Sequence, residues 1–307
     1  MSILVLCEDA PDYAEFLEPA TDTVFARNLQ HANTEKHSFE ILLAQPDLAV
    51  QYLRTGRTPH WIQSTWAGIE PLAQEALAKR VLITGIKGIF GPLIAEYVFA
   101  YLLDDVRDLN RTWQAQSTKQ WQPYLPGTLQ NRHLVIVGTG SIGQHVAAVA
   151  RSFRMRVTGV SRSGATSSGF DATVSVSQLP DVLHDADYCL VALPGTAETT
   201  GLIDADVLAA LPREAMLLNI GRGVTVDEDA LIAAMKSQRL RKAVLDVFQT
   251  EPLPSENPLW DSPATYITPH LSAVSRPQDI ATIFLRNLGR YRSGTTLEYV
   301  VDLQRGY

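Results

Sequence analysis

The chain has 307 residues, 46% of them hydrophobic and 19% charged, with a net charge of −7. That length predicts two domains rather than one core, the composition suits a soluble folded protein and excludes a disordered one, and the acidic balance argues against a nucleic-acid or anionic-membrane partner. The two cysteines, Cys7 and Cys189, sit inside apolar runs without metal-ligand spacing, so they read as small buried hydrophobes of a cytoplasmic protein.

The N-terminus, MSILVLCEDAPD, has no basic leader and reads as a first strand rather than an export signal. No later stretch approaches the roughly 20 apolar residues that a membrane-spanning helix needs. Strands are expected at 3–7, 39–44, 61–65 and 81–85, with a helix at 71–79 between the last two. A longer helical pattern runs from Pro92 to about Trp113, and the polar, proline-containing STKQWQPYLPGTLQNRH then reads as an interdomain link. Alternation resumes with apolar runs at 134–138, 155–160, 188–193, 215–220, 242–247 and 266–269. A helix is expected over 227–237 with Asp227 as its N-cap, and a last one over 277–291. Strands alternating with helices imply parallel sheets covered on both faces, and the second run has the six strands of a Rossmann domain.

VIVGTGSIG follows the first strand of that second run and precedes the helical QHVAAVARSF. Its Gly138, Gly140 and Gly143, with Ser141 and Ile142 between them, form a GxGxxG loop. The first glycine permits a tight turn, the second lets backbone approach a pyrophosphate, and the third lets helix and strand pack closely. The next strand ends in GVSRSG. An acidic residue that would hold a ribose hydroxyl is replaced there by Ser161, followed by Arg162 and Ser163. A hydroxyl does not repel phosphate, and a guanidinium offers it paired donors, so the sequence favours NADP over NAD, with NAD still possible.

Arg222 in LNIGRGVTVDEDAL, Asp246 and Glu251 in LDVFQTEPLPSENPLW, and His270 in YITPHLSA each follow a strand end. Ligands of parallel α/β sheets bind at those ends, which directs the groups toward one crevice. The remaining histidines, His31, His37, His60, His133, His145 and His184, form no metal-ligand pattern, and no metal is expected.

These segments, together with VALPGTAETTGLI, WIQSTWAGIE and GIFGPLIAEYVFAYLL, resemble in their order the D-isomer-specific 2-hydroxyacid dehydrogenase family, most nearly its NADPH-linked glyoxylate/hydroxypyruvate reductases. The resemblance implies two Rossmann-like or flavodoxin-like α/β domains with a cleft between them. Residues 1–104, completed by 273–307, would form the substrate domain, and 105–272 the dinucleotide domain. It also implies reduction of a small 2-ketoacid to the D-2-hydroxy acid, with His270 as proton donor, Glu251 orienting its ring and favouring its charged form, and Arg222 binding the substrate carboxylate and polarising the ketone. Backbone amides of Trp66, Ala67 and Gly68 would receive the same carboxylate. Leu193, Pro194 and Thr199 would lie along the cofactor, Ile220 and Gly221 would back the nicotinamide, and Asp246 would bind its carboxamide. A homodimer built through the dinucleotide domain, with a contribution from the segment around Arg111–Tyr124, is the implied assembly. The chain departs from the family in having Arg154, where a glycine is frequent before the methionine. Two alternatives stay open: an NAD-linked dehydrogenase of a larger substrate, and a non-catalytic dinucleotide sensor of the same fold.

Overall fold

A computed structural model of the chain describes residues 1–17, 22–32 and 38–303; His37 lies outside them. The elements in chain order are β1 (Ser2–Leu6), α1 (Ala14–Leu17), β2 (Asp22–Ala26), β3 (Ile41–Ala44), α2 (Pro46–Arg54), β4 (Trp61–Ser64), α3 (Glu70–Lys79), β5 (Leu82–Thr84), α4 (Phe90–Arg107) and α5 (Leu109–Ser117). They continue with β6 (His133–Val137), α6 (Ser141–Ser152), β7 (Arg156–Ser161), β8 (Ala172–Ser175), α7 (Leu179–Leu183), β9 (Tyr188–Val191), α8 (Ala205–Ala210), β10 (Met216–Asn219), α9 (Glu228–Lys236), β11 (Lys242–Leu245), β12 (Thr265–Ile267) and α10 (Pro277–Arg292).

The chain divides into two compact units, Met1–Ile89 with Ser275–Tyr307, and Phe90–Val274. In the first, a five-stranded parallel sheet has the order β2-β1-β3-β4-β5, the flavodoxin-like arrangement. Strands β3 and β4 are buried along their whole length and β1 on every residue but Ser2, as expected of a parallel sheet with helices on both faces. The C-terminal tail returns to this sheet: Thr84 bridges Val300, and the Val301 amide donates to the Ile83 carbonyl at 3.0 Å. A buried polar group ties the sheet to α10. The Gln63 amide donates to the Thr84 and Gly85 carbonyls, and its Oε1 accepts from Thr84 and Asn287.

The second unit has seven parallel strands in the order β12-β11-β10-β9-β6-β7-β8. Read from β8, this is the Rossmann order with an added strand. Its direction of winding reverses between β6 and β9, which is where such sheets bind ligands. All five residues of β6 are buried, as are all four of β9 and of β10. His133, at the start of β6, is a buried structural residue, with Nδ1 on Asp185 and Nε2 on Thr158, both at 2.9 Å.

Several expectations need correction. Seven strands, not six, form the second sheet, and β2 adds a strand to the first; the two unforeseen strands, β2 and β8, are edge strands with half-exposed residues and no apolar run. The long helix from Pro92 to Trp113 starts earlier, at Phe90, and breaks after Arg107. Asp108 there takes a left-handed conformation (φ 49°) and caps α5 through the Arg111 amide. The first unit boundary lies at Ile89/Phe90 rather than near residue 104, because α4 packs on α6: the Phe99 and Phe153 rings stack at 5.0 Å, and Gly91 sits against His145. The second unit ends at Val274, and Ser275 returns the chain to the first. The polar segment after α5 therefore lies inside the second unit and is not a link between units.

Candidate active site

The three glycines of the phosphate loop stand in three different environments. Gly138 has φ +118°, and a Cβ there would come within 2.4 Å of the Ala192 carbonyl, so the loop after β6 presses on the loop after β9. A Cβ on Gly143 would lie 2.1 Å from the Gly138 carbonyl, which lets α6 start directly against the turn. At Gly140 nothing lies within 4 Å of that position. This open face at the N-cap of the twelve-residue α6 has room for a pyrophosphate, with Ser141, Ile142 and Gly143 opening the helix behind it. The site therefore fits a dinucleotide.

At the end of β7, the Ser161 hydroxyl accepts the Gly164 amide at 3.1 Å and closes the GVSRSG turn. Arg162 extends into solvent and rests on Glu198 at 3.3 Å, both side chains being mostly exposed. Ser163 accepts the Ala165 amide at 3.3 Å. On the loop after β9, the Thr199 hydroxyl donates to the Pro194 carbonyl at 2.6 Å and accepts the Thr196 amide at 2.9 Å, which folds 194–199 onto itself.

Arg222 is fixed by its neighbours. Gly221 lies so close to Leu193 that a Cβ would be 2.5 Å from its carbonyl, and Gly223 is pressed against the Phe248–Gln249 backbone. Asn219, buried at the end of β10, accepts the Gly221 amide at 3.2 Å and donates to the Arg222 carbonyl at 3.2 Å. This is an Asx turn, and the Asn two residues before the glycine is its local sequence signal. Ile220 is buried beside it, with its amide on the Val191 carbonyl. The Arg222 guanidinium donates to the Gly221 carbonyl at 2.8 Å.

Glu251 and His270 meet directly. His270 Nδ1 lies 2.7 Å from Glu251 Oε2, while Oε1 accepts the Phe248 amide at 2.9 Å. An ionised carboxylate only accepts, so Nδ1 carries a hydrogen and Nε2 is the ring atom left to face a reactant. The imidazole is 48% exposed. His270 holds a left-handed backbone (φ 51°), an uncommon conformation for a non-glycine residue, which the surrounding loop enforces. Its amide donates to the Asp246 and Thr268 carbonyls at 2.9 and 3.0 Å.

Asp246 is fully buried, and its carboxylate is engaged inside this loop: it accepts from the Thr268 hydroxyl (2.6 Å) and from the Leu271 (2.8 Å) and Ser272 (2.9 Å) amides. A nicotinamide carboxamide would have to share it. Sequence reasoning missed Thr268, whose hydroxyl makes that contact. Arg222, Glu251 and His270 thus come from the loops after β10, β11 and β12, which are adjacent in the sheet and, at Gly223 and Phe248, in contact.

The remaining expected residues, Trp66, Ala67 and Gly68, belong to the first unit and follow β4. The Trp66 amide is already used, donating to the Ser64 hydroxyl at 3.1 Å while that hydroxyl donates to the Trp66 carbonyl at 2.7 Å. The expectation that all three amides await a carboxylate is therefore corrected for Trp66, whose ring is 46% exposed. Among the described residues no cluster of His, Cys, Asp or Glu could hold a metal ion, and no helix is long and apolar enough to cross a membrane.

Residues 99–272 match the family model of the D-isomer specific 2-hydroxyacid dehydrogenase NAD-binding domain. The chain belongs to the D-isomer-specific 2-hydroxyacid dehydrogenase family. It is 35% identical over 218 residues to glyoxylate/hydroxypyruvate reductase A of Klebsiella pneumoniae (strain 342), covering 71% of this chain and 70% of that protein. Among solved structures, a family protein from Aeromonas salmonicida subsp. salmonicida A449 superposes with a TM-score of 0.91 at 38% identity, covering 98% of this chain and 99% of that one. A family member from Xanthobacter autotrophicus Py2, solved with NADPH and MES, superposes with a TM-score of 0.86 at 29% identity, over 99% of each chain. Both parallel-sheet domains of this family are therefore present.

Proposed function

We propose that the protein is an NADPH-preferring reductase of small 2-ketoacids such as glyoxylate or hydroxypyruvate, forming the D-2-hydroxy acid. The observation that carries this reading is the Glu251–His270 contact, held on a dinucleotide-type sheet beside the Arg222 loop. The relatives named above, a glyoxylate/hydroxypyruvate reductase and a family member solved with NADPH, support the substrate class and the cofactor.

The second unit takes the dinucleotide. Gly138, Gly140 and the first turn of α6 hold the pyrophosphate, and Arg162 with Ser161 and Ser163 takes the adenosine phosphate. Ile220, Gly221 and the 193–199 loop border the nicotinamide. When bound, the reduced nicotinamide supplies the hydride. Arg222 binds the substrate carboxylate and draws electron density toward the ketone oxygen, a task for a permanently charged fork of donors. As the carbonyl carbon accepts hydride, its oxygen takes the proton from Nε2 of protonated His270. Glu251 keeps Nδ1–H engaged throughout, so the ring neither flips nor needs to reorient. The neutral imidazole then regains a proton from solvent.

Two further features complete the reading. Nothing on α5 is buried, and Trp113, Trp121 and Leu125 are 60%, 96% and 96% exposed, which supports a homodimer built through this arm of the second unit. Both cysteines are buried free thiols, which suits a reducing cytoplasm. The test of the function is NADPH oxidation followed at 340 nm with glyoxylate, hydroxypyruvate and longer 2-ketoacids: turnover of the short substrates supports the reading, and tight NADPH binding without turnover of any of them overturns it.

A further inference from the structure

The Asp246 carboxylate is reached from outside its own loop by a two-hydroxyl chain. Tyr97, in the middle of α4, places its phenol oxygen 2.7 Å from Thr268 Oγ1, which lies 2.6 Å from Asp246 Oδ1. Geometry alone leaves the donor of the first contact open, but the second decides it. An ionised carboxylate cannot donate, so the single Thr268 hydroxyl proton goes to Asp246, and the Tyr97 phenol must supply the proton of the other bond. The chain runs one way: Tyr97 O–H to Thr268, Thr268 O–H to Asp246. Burial holds the Tyr97 phenol well above its ordinary pKa, so this donor stays protonated wherever the enzyme works. The Asp246 oxygens in turn accept the Leu271 and Ser272 amides, and the Asp246 carbonyl accepts that of His270. Aromatic packing reinforces the connection, with Tyr97 against Tyr101 at 5.0 Å and Tyr101 against Tyr266 of β12 at 6.2 Å.

We infer that Tyr97 is a positioning residue for the proton donor: through Thr268 and Asp246 it fixes the 268–272 loop in the strained backbone that points the His270 ring at Glu251. The inference rests on the reductase reading above. It goes beyond the three reacting side chains, because Tyr97 lies far from them in sequence, on a helix that carries none of them. A left-handed His270 relaxes readily once its loop loosens, and a small misplacement of a proton donor lowers the rate of the chemical step without touching the dinucleotide loop.

The test uses Tyr97→Phe, Thr268→Val and Thr268→Ser in the full-length protein. Tyr97→Phe is expected to lower kcat about five-fold with the NADPH Kd unchanged within two-fold, and to raise the solvent deuterium isotope effect on kcat as proton transfer becomes more limiting. Thr268→Ser should keep near wild-type kcat, Thr268→Val should match or exceed the loss in Tyr97→Phe, and the double variant Tyr97→Phe/Thr268→Val should lose no more than Thr268→Val alone. Without any substrate, amide hydrogen exchange of the peptide covering 268–274 should quicken in Tyr97→Phe while peptides covering β6 and β7 stay as in wild type. Unchanged exchange at 268–274, or equal losses in kcat and NADPH affinity, would overturn the inference. Absence of turnover by the wild-type protein would instead strike the reductase reading, and the exchange experiment would still judge the role of Tyr97.

Discussion

Glu251 holds two partners at once, the His270 Nδ1 at 2.7 Å through one oxygen and the Phe248 amide at 2.9 Å through the other. The amide fixes the carboxylate, and the carboxylate fixes the ring. Glu251→Gln keeps the shape but replaces the carboxylate that holds the ring with a neutral amide. It is expected to lower kcat by about 10- to 100-fold while NADPH binding changes little, since acid–base assistance is typically worth 10²- to 10⁴-fold and the amide retains part of the orientation. Stopped-flow single-turnover rates alongside a fluorescence titration with NADPH would check this.

Arg162 is the cation expected to recognise the adenosine phosphate, and its guanidinium lies 3.3 Å from the Glu198 carboxylate. An incoming phosphate must replace that carboxylate, and it then sits near a like charge. Glu198→Gln should therefore tighten NADPH by about two- to three-fold at low salt and leave NADH unaffected, with the gain shrinking as ionic strength rises. Arg162→Ala should weaken NADPH selectively and narrow the gap between the two cofactors in kcat/KM. A wild-type preference for NADH would contradict the assignment of Arg162.

Arg154 follows the C-cap of α6 with φ +58°, its amide donating to the Arg151 carbonyl at 2.9 Å and that of Met155 to Ala150 at 3.1 Å. This is the Schellman arrangement, whose left-handed residue is usually glycine. A non-glycine side chain there costs about 1–2 kcal/mol, and glycine recovers most of it against its larger unfolded-state entropy. Arg154→Gly should raise the melting temperature by about 1–3 °C with kcat unchanged, as measured by scanning calorimetry at equal protein concentration. A lower melting temperature would show that the exposed arginine contributes more than the backbone strain costs.

Much of the architecture was legible because parallel sheets write their central strands as apolar runs: LVIV, YCLV and MLL are buried on every residue, with only His133 and Asn219 at strand ends being polar. The edge strands DTVFA and ATVS lack such a run and were missed. The break at Asp108 was hidden because the helical pattern continues across it, and only a left-handed residue turned to capping reveals the joint. At the site, Gly138, Gly140 and Gly143, Arg222, Glu251 and His270 stood out because glycine spacing and charge after strand ends are local signals. Asn219, Thr268 and Tyr97 did not. Their hydrogen bonds reach across a turn or between α4 and the loop after β12, and nothing in their own neighbourhood announces the partner. Trp66 differs: its amide is taken by Ser64 only two residues earlier, a local turn that the apolar pattern of the strand does not register.

The central claim is that Nε2 of His270 delivers the proton to a 2-ketoacid as it is reduced. The most direct measurement compares wild type and His270→Ala in glyoxylate-dependent NADPH oxidation, with the NADPH Kd of each determined by fluorescence. The account predicts turnover by the wild type, a loss of about 10²- to 10⁴-fold in kcat for the variant, and matching dissociation constants. A variant that keeps wild-type turnover, or one that loses cofactor affinity as steeply as rate, would contradict it.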